Sequence, residues 1–118
     1  MKTILTCLLL CFSVNATATK WVRASDTVYV DANSIKKKQG IVSYSSLANM
    51  TTMGLNSVVT FYKANCQEKI VTETKSVYYG QPMGKGELIQ EETLNRSVSP
   101  KPNSTEYAAM KFACDFKK

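Results

Sequence analysis

Cys66 and Cys114 restrict the fold of this chain more than any other feature, because they are the two cysteines left once the amino-terminal apolar run is set aside. The chain opens MKTILTCLLLCFSVNATATK, with Lys2 as a short basic start, an apolar stretch from Ile4 to Val14 and small residues at Ala16 and Ala18. This is the form of a cleaved export signal over residues 1–18, and the stretch is too short to span a bilayer. Cleavage after Ala18 removes Cys7 and Cys11 and leaves Thr19 to Lys118, 100 of the 118 residues, as one domain. An oxidising compartment permits a Cys66–Cys114 bond, and a core this small benefits from one. The bond would close a loop of about 49 residues, worth on the order of 4 kcal/mol. Leu8 stands three before Cys11, as in lipid-anchored proteins, but bulky Leu10 sits where processing needs a small side chain, so anchoring at Cys11 is not expected.

Most of the remaining sequence reads as strand. Thr27 to Asp31 is a short β candidate followed by the turn signal Asn33-Ser34, and the lone Trp21 before it is expected in the core. The run Lys36-Lys37-Lys38 precedes Gln39-Gly40 and reads as a solvated hairpin tip or edge. Ile41 to Leu47 alternates, with Val42 and Tyr44 on one face and Ile41 and Leu47 on the other. Ala48 to Asn56 reads as a connection, and Asn56 to Ala64 is a strand rich in β-branched and aromatic residues. Lys69 to Tyr79 begins three residues after Cys66, so the two strands should form an antiparallel hairpin with Cys66 near its turn. Val71, Glu73, Lys75, Val77 and Tyr79 are expected on one face of that second strand.

Gly80 to Gly86 has three residues before Gly84-Lys85, where a phosphate loop has four, and Gly86 replaces the serine or threonine that should follow; it reads as a flexible loop. One more short strand is expected through Leu88-Ile89, then a loop from Leu94 to Pro102. At the carboxyl end, Asn103 with Glu106, or Ser104 alone, can cap a helix whose Tyr107, Met110 and Cys114 share a face. Met110 to Phe116 also alternates as an edge strand would; helix is the expectation. The fold class is therefore α+β, an antiparallel sheet of five to six strands with a C-terminal helix clasped onto one face by the disulfide.

Histidine is absent, which excludes Ser/His/Asp and Cys/His triads and removes the commonest nitrogen ligand of zinc. No C-x-x-C occurs, and Glu91 and Glu92 are adjacent rather than placed to flank a sugar ring. No enzyme activity, cofactor or metal is expected. Lys plus Arg number 15 against 9 Asp plus Glu, so losing Lys2 leaves 14 against 9, a net charge of +5. That excess favours acidic partners such as anionic lipid, acidic polysaccharide or an acidic protein patch. Nucleic acid is not an expected partner, because the basic residues do not cluster with aromatic ones.

Trp21, Val28-Tyr29-Val30-Asp31 with Ser34-Ile35, Phe61-Tyr62 before Cys66, Tyr78-Tyr79-x-Gly, and Pro102-Asn103-Ser104 before Cys114 occur in an order and spacing that resemble the bacterial surface-adhesin protein E family. The resemblance runs over residues 21–114. It implies small exported proteins with an antiparallel sheet and a disulfide-tethered helix, and it allows a homodimer. The best-known member of that family binds host matrix and serum proteins such as laminin, vitronectin and plasminogen, so the resemblance points to an adhesin role. The expected function is thus a non-enzymatic exported binding protein, periplasmic, secreted or on the cell surface, with Lys36, Lys37, Lys38, Tyr44 and Lys85 as candidate contacts. The alternatives are a periplasmic accessory or structural protein without a host ligand, and a small-molecule carrier with a deep apolar pocket between helix and sheet.

Overall fold

The computed structural model describes residues 18–52 and 54–117, so the expected export signal and Cys11 lie outside the described residues but for Ala18. Seven strands and one helix follow in the order β1 (Trp21–Arg23), β2 (Tyr29–Asp31), β3 (Lys36–Lys38), β4 (Ile41–Thr52), β5 (Leu55–Asn65), β6 (Ile70–Gln81), β7 (Lys85–Val98) and α1 (Thr105–Asp115). Single 3-10 turns lie at Ala32–Ser34 and Pro82–Gly84. The strands form one antiparallel sheet in the order β1-β2-β4-β5-β6-β7, and β3 pairs with β4 beside β2. The α+β architecture is the one expected, with the lysine run adding a strand of its own.

β4 meets two strands along one edge: β3 covers Ile41–Ser43 and β2 covers Ser46–Leu47. Between them the Ser45 N–H would lack a ladder partner, and the hydroxyl of Ser34 accepts it at 3.0 Å while donating to the Asp31 carbonyl at 2.7 Å. The β3–β4 turn places Gln39 and Gly40 at φ 54° and 82°, the paired left-handed residues of a two-residue hairpin turn.

Three segments expected as loops are largely strand. β4 extends to Thr52 and β5 starts at Leu55, so most of the supposed connection from Ala48 to Asn56 is hairpin ladder. β6 runs on to Gln81, whose partner is Lys85, which makes the glycine-rich stretch a tight turn rather than a flexible loop. β7 continues through Leu94 to Val98. Pairing with a long neighbouring strand outweighs the weak β-propensity of Asn, Ser and Gly in these segments. Gly84, at φ 68°, takes a left-handed backbone that strains other residues, and a Cβ there would also press on Leu47 Cδ1 at 3.3 Å.

α1 starts at Ser104, whose hydroxyl accepts the Tyr107 N–H at 3.1 Å, so Ser104 and not Asn103 is the cap. Its sheet-facing residues are Ala109, Met110 and Ala113, all under 4 % exposed, while Tyr107 and Cys114 stand at the margins of that face. Two alanines on the contact line let the helix come close to the sheet, over Val30, Ile35, Val42, Tyr44, Ala64 and Val71. The Cys66–Cys114 bond is formed, joining the β5–β6 turn to the last turn of α1. An 11-residue helix spans only about 16 Å, so it covers part of one sheet face; the opposite face carries no helix, and apart from the end where the Pro82–Gly84 turn lies against Leu47 and Val59 it is bare.

Candidate functional site

Even-numbered residues of β4 and β5, among them Val42, Tyr44, Tyr62 and Ala64, lie under α1, and odd-numbered ones face the other way. Register then decides which side chains meet on the bare face. Lys36 lies opposite Ser43 and Lys38 opposite Ile41; Ser43 in turn opposes Lys63, and Ser45 opposes Phe61. Across β5–β6, Phe61 opposes Lys75 and Asn65 opposes Ile70. One half of this face therefore gathers four lysines, 36, 38, 63 and 75, around Ile41, Phe61 and Ile70, which are 36, 37 and 36 % exposed. The Lys75 ammonium sits 4.8 Å from the Phe61 ring centroid and 4.0 Å from a Glu91 oxygen.

A bulge at Thr74 creates part of this grouping. Val71 and Glu73 lie on the helix side, whereas Lys75, Val77 and Tyr79 lie on the bare side, because the register of β6 shifts between them. The strict alternation expected for β6 is thereby broken, and Glu73 is carried away from Lys75. On the helix side Arg96 donates to both Glu73 oxygens at 2.9 and 3.1 Å and lies 3.6 Å from Glu106. Burial, then the Glu73 carboxylate, holds the Glu106 carboxyl above its usual range, with Arg96 pulling the other way. Glu73 and Glu106 thus meet Arg96 beside the helix, while Lys36, Lys38, Lys63 and Lys75 lie on the opposite face.

The expected contact residues separate. Lys36 and Lys38 belong to the bare face. Lys37 points to the helix side, where its ammonium donates to the carbonyls of Cys114 at 2.9 Å and Phe116 at 2.6 Å, a cation on the C-terminal end of α1. Lys37→Met is expected to cost about 1 kcal/mol by urea denaturation, against no measurable change for Lys36→Met; equal midpoints for the two variants would refute this role. Tyr44 is buried at 3 % exposure and stacks on Tyr62 with centroids 5.2 Å apart. Burial pushes both phenols up, that of Tyr62 to about 12, so they are neutral plates beneath the helix and Tyr44 is not a surface contact. Lys85 is on the bare face but at the far end of the sheet from Lys36, roughly 26 Å along the strands.

Beside Lys85 lies a half-open cleft of about 640 Å³ whose walls include Trp21, Val59, Phe61, Tyr79 and Met83. Trp21 is accordingly half-buried at this cleft rather than in the main core. The space between α1 and the sheet, where the carrier alternative would place its pocket, measures only about 170 Å³. Among the described residues no cluster of three or more carboxylate or cysteine side chains is placed to hold a metal. Lys63, Lys75, Phe61 and Ile70 are the surface residues that sequence reasoning did not single out. Their signal was present as exposed-type residues within strands, but the face each takes depends on the pairing and on the bulge.

The family model for surface-adhesin protein E matches residues 19–115. Among solved structures, Haemophilus influenzae protein E superposes with a TM-score of 0.70 at 18 % identity, over 88 % of this chain and 90 % of that one. Protein E from non-typeable Haemophilus influenzae gives a TM-score of 0.66 at 19 % identity, over 86 % and 81 % of the two chains. No curated protein matches the sequence. At these identities the structural likeness shows a shared fold, and the family match carries the assignment. The family is one of surface or exported proteins and not an enzyme family, and among the described residues no helix is long and apolar enough to cross a membrane. Matched from before the first strand to the last residue of the helix, the chain belongs to the surface-adhesin protein E family.

Proposed function

We propose that the protein is a non-enzymatic exported adhesin whose bare sheet face contacts an acidic patch on another protein, such as a host matrix or serum protein. The observation that supports this reading is the grouping of Lys36, Lys38, Lys63 and Lys75 around three exposed apolar side chains on the face opposite α1. Exposed Ile41, Phe61 and Ile70 supply area that loses water on contact, and the ring of ammonium groups selects an acidic partner and speeds encounter. Two carboxylates border the group: Glu91, 4.0 Å from the Lys75 ammonium, and Glu68, which accepts from the Asn65 amide at 3.5 Å. Lys37, capping the helix, and buried Tyr44 have no part in this surface.

The test is binding of the oxidised protein to immobilised matrix and serum proteins across a salt series. Changing Lys36, Lys38 and Lys63 together to alanine should weaken binding about tenfold, as three rim charges of about 0.5 kcal/mol each imply. It should also flatten the salt dependence. A triple variant that binds like the parent at every salt concentration would discard this face as the interface.

A further inference from the structure

We propose that the cleft beside Lys85 is a site for a single small carboxylate with an apolar body, an acyl chain being the chemistry that fits. The site adjoins the lysine-rich half of the face and shares Phe61 with it, but differs from it in shape and in its other residues. Its volume of about 640 Å³ falls within the roughly 300–1,000 Å³ of small-molecule sites. Its walls are Trp21, Val59, Phe61, Tyr79 and Met83.

The polar groups at the cleft narrow the ligand. Asp31 Oδ1 already accepts the backbone N–H groups of Lys20 at 2.8 Å and Asn33 at 3.0 Å. The Ser34 hydroxyl is spent on Asp31 and Ser45. A sugar, which needs many free donors and acceptors, would find few here, whereas an acyl or similar apolar body needs none. Besides the Thr19 and Ser45 hydroxyls, the lining offers one cation, Lys85, which has no ion pair or side-chain hydrogen bond among the described residues and stands exposed at the rim. Its ammonium can receive one carboxylate without desolvating it completely, which keeps the cost of burial small. One apolar body and one anionic head match one apolar cleft and one free cation.

Trp21 is the sole tryptophan of the chain and lines the cleft, so it reports occupancy directly. Dodecanoate, titrated below its micelle concentration and followed by Trp21 emission and calorimetry, should bind saturably at one site. Dodecanol should bind about tenfold more weakly, the difference one charge-assisted hydrogen bond makes. Lys85→Met should erase that difference, and Met83→Glu, which places a carboxylate at the cleft wall, should lower dodecanoate affinity by at least as much. Both positions are surface or partly exposed, and each variant's melting curve is checked against the parent's. The absence of saturable dodecanoate binding would overturn the proposal, as would equal binding of dodecanol, or Lys85→Met that leaves the preference intact. Binding to phosphatidylglycerol vesicles without binding to monomeric dodecanoate would also overturn it, by making the face a membrane patch instead of a pocket.

Discussion

Replacing Cys66 and Cys114 together by alanine is expected to lower the stability of the oxidised protein by about 4 kcal/mol, read as a fall in the urea midpoint at unchanged slope. The two cysteines are 48 residues apart in sequence, and the bond between them withholds that much chain freedom from the unfolded state. Domains of this size are stable by only about 5–15 kcal/mol, so the loss is a large share of the total. The effect should be concentrated at α1. An 11-residue helix is marginal in water on its own; the buried part of its remaining hold on the sheet is the contact of Ala109, Met110 and Ala113 with a patch built around Tyr44 and Tyr62, with Tyr107, Phe112 and the Lys37 ammonium adding contacts at its margins. Two of the three buried residues are alanines, which bury little area each. Hydrogen exchange in the double variant should therefore accelerate first in residues 105–115, then in the strands. Reduction of the parent protein should reproduce the same pattern, and a double variant with an unaltered midpoint would remove the bond from its structural role.

How far the sequence could be read follows from which interactions are local. The helix and the cysteine pair were legible, and the cap was narrowed to Asn103 or Ser104, because capping side chains, 3.6-residue spacing and a single candidate partner act within short windows or by simple elimination. The faces of β4 were legible too, since strict alternation separates Val42 and Tyr44 from Leu47. β6 was not, because the bulge at Thr74 exchanges the faces of the residues beyond it, and nothing in the six flanking residues announces it. The same limit applies to the lysines. Lys36, Lys37 and Lys38 look equivalent in a run, yet alternation sends Lys37 to the carbonyls of α1 and the other two to the bare face. Lys63 and Lys75 join them only through cross-strand register, which is a property of the folded sheet. Tyr44 shows the converse error. Tyr44 is a candidate contact by its place on the early hairpin beside the lysine run, but the helix lands on it, and helix placement is fixed by the distant Cys114.

Leu47→Ala is expected to cost about 3 kcal/mol, whereas Leu88→Ala should change stability by less than about 0.5 kcal/mol. Both are leucines facing away from α1, so the comparison isolates packing from residue type. Leu47 is fully buried, opposes Val59 across the hairpin, and lies against Gly84, where even a methyl group would meet its Cδ1 at 3.3 Å. Leu88 is on the edge strand β7 and is 49 % exposed. The small group of Leu47, Val59 and Trp21 thus forms a second packed layer on the face that the helix leaves bare, anchoring the Pro82–Gly84 turn through the Ser57 hydroxyl, which donates to the Gln81 carbonyl at 2.6 Å and accepts the Gly84 N–H at 2.9 Å. Alanine at position 47 removes the floor on which that turn rests. Trp21 emission should then shift to the red as water gains access to its ring, with a smaller response at the Tyr44–Tyr62 stack beneath α1. If Leu47→Ala lost no more stability than Leu88→Ala, the bare face would have no packed layer of its own, and the cleft beside Lys85 would have no rigid wall to hold a ligand.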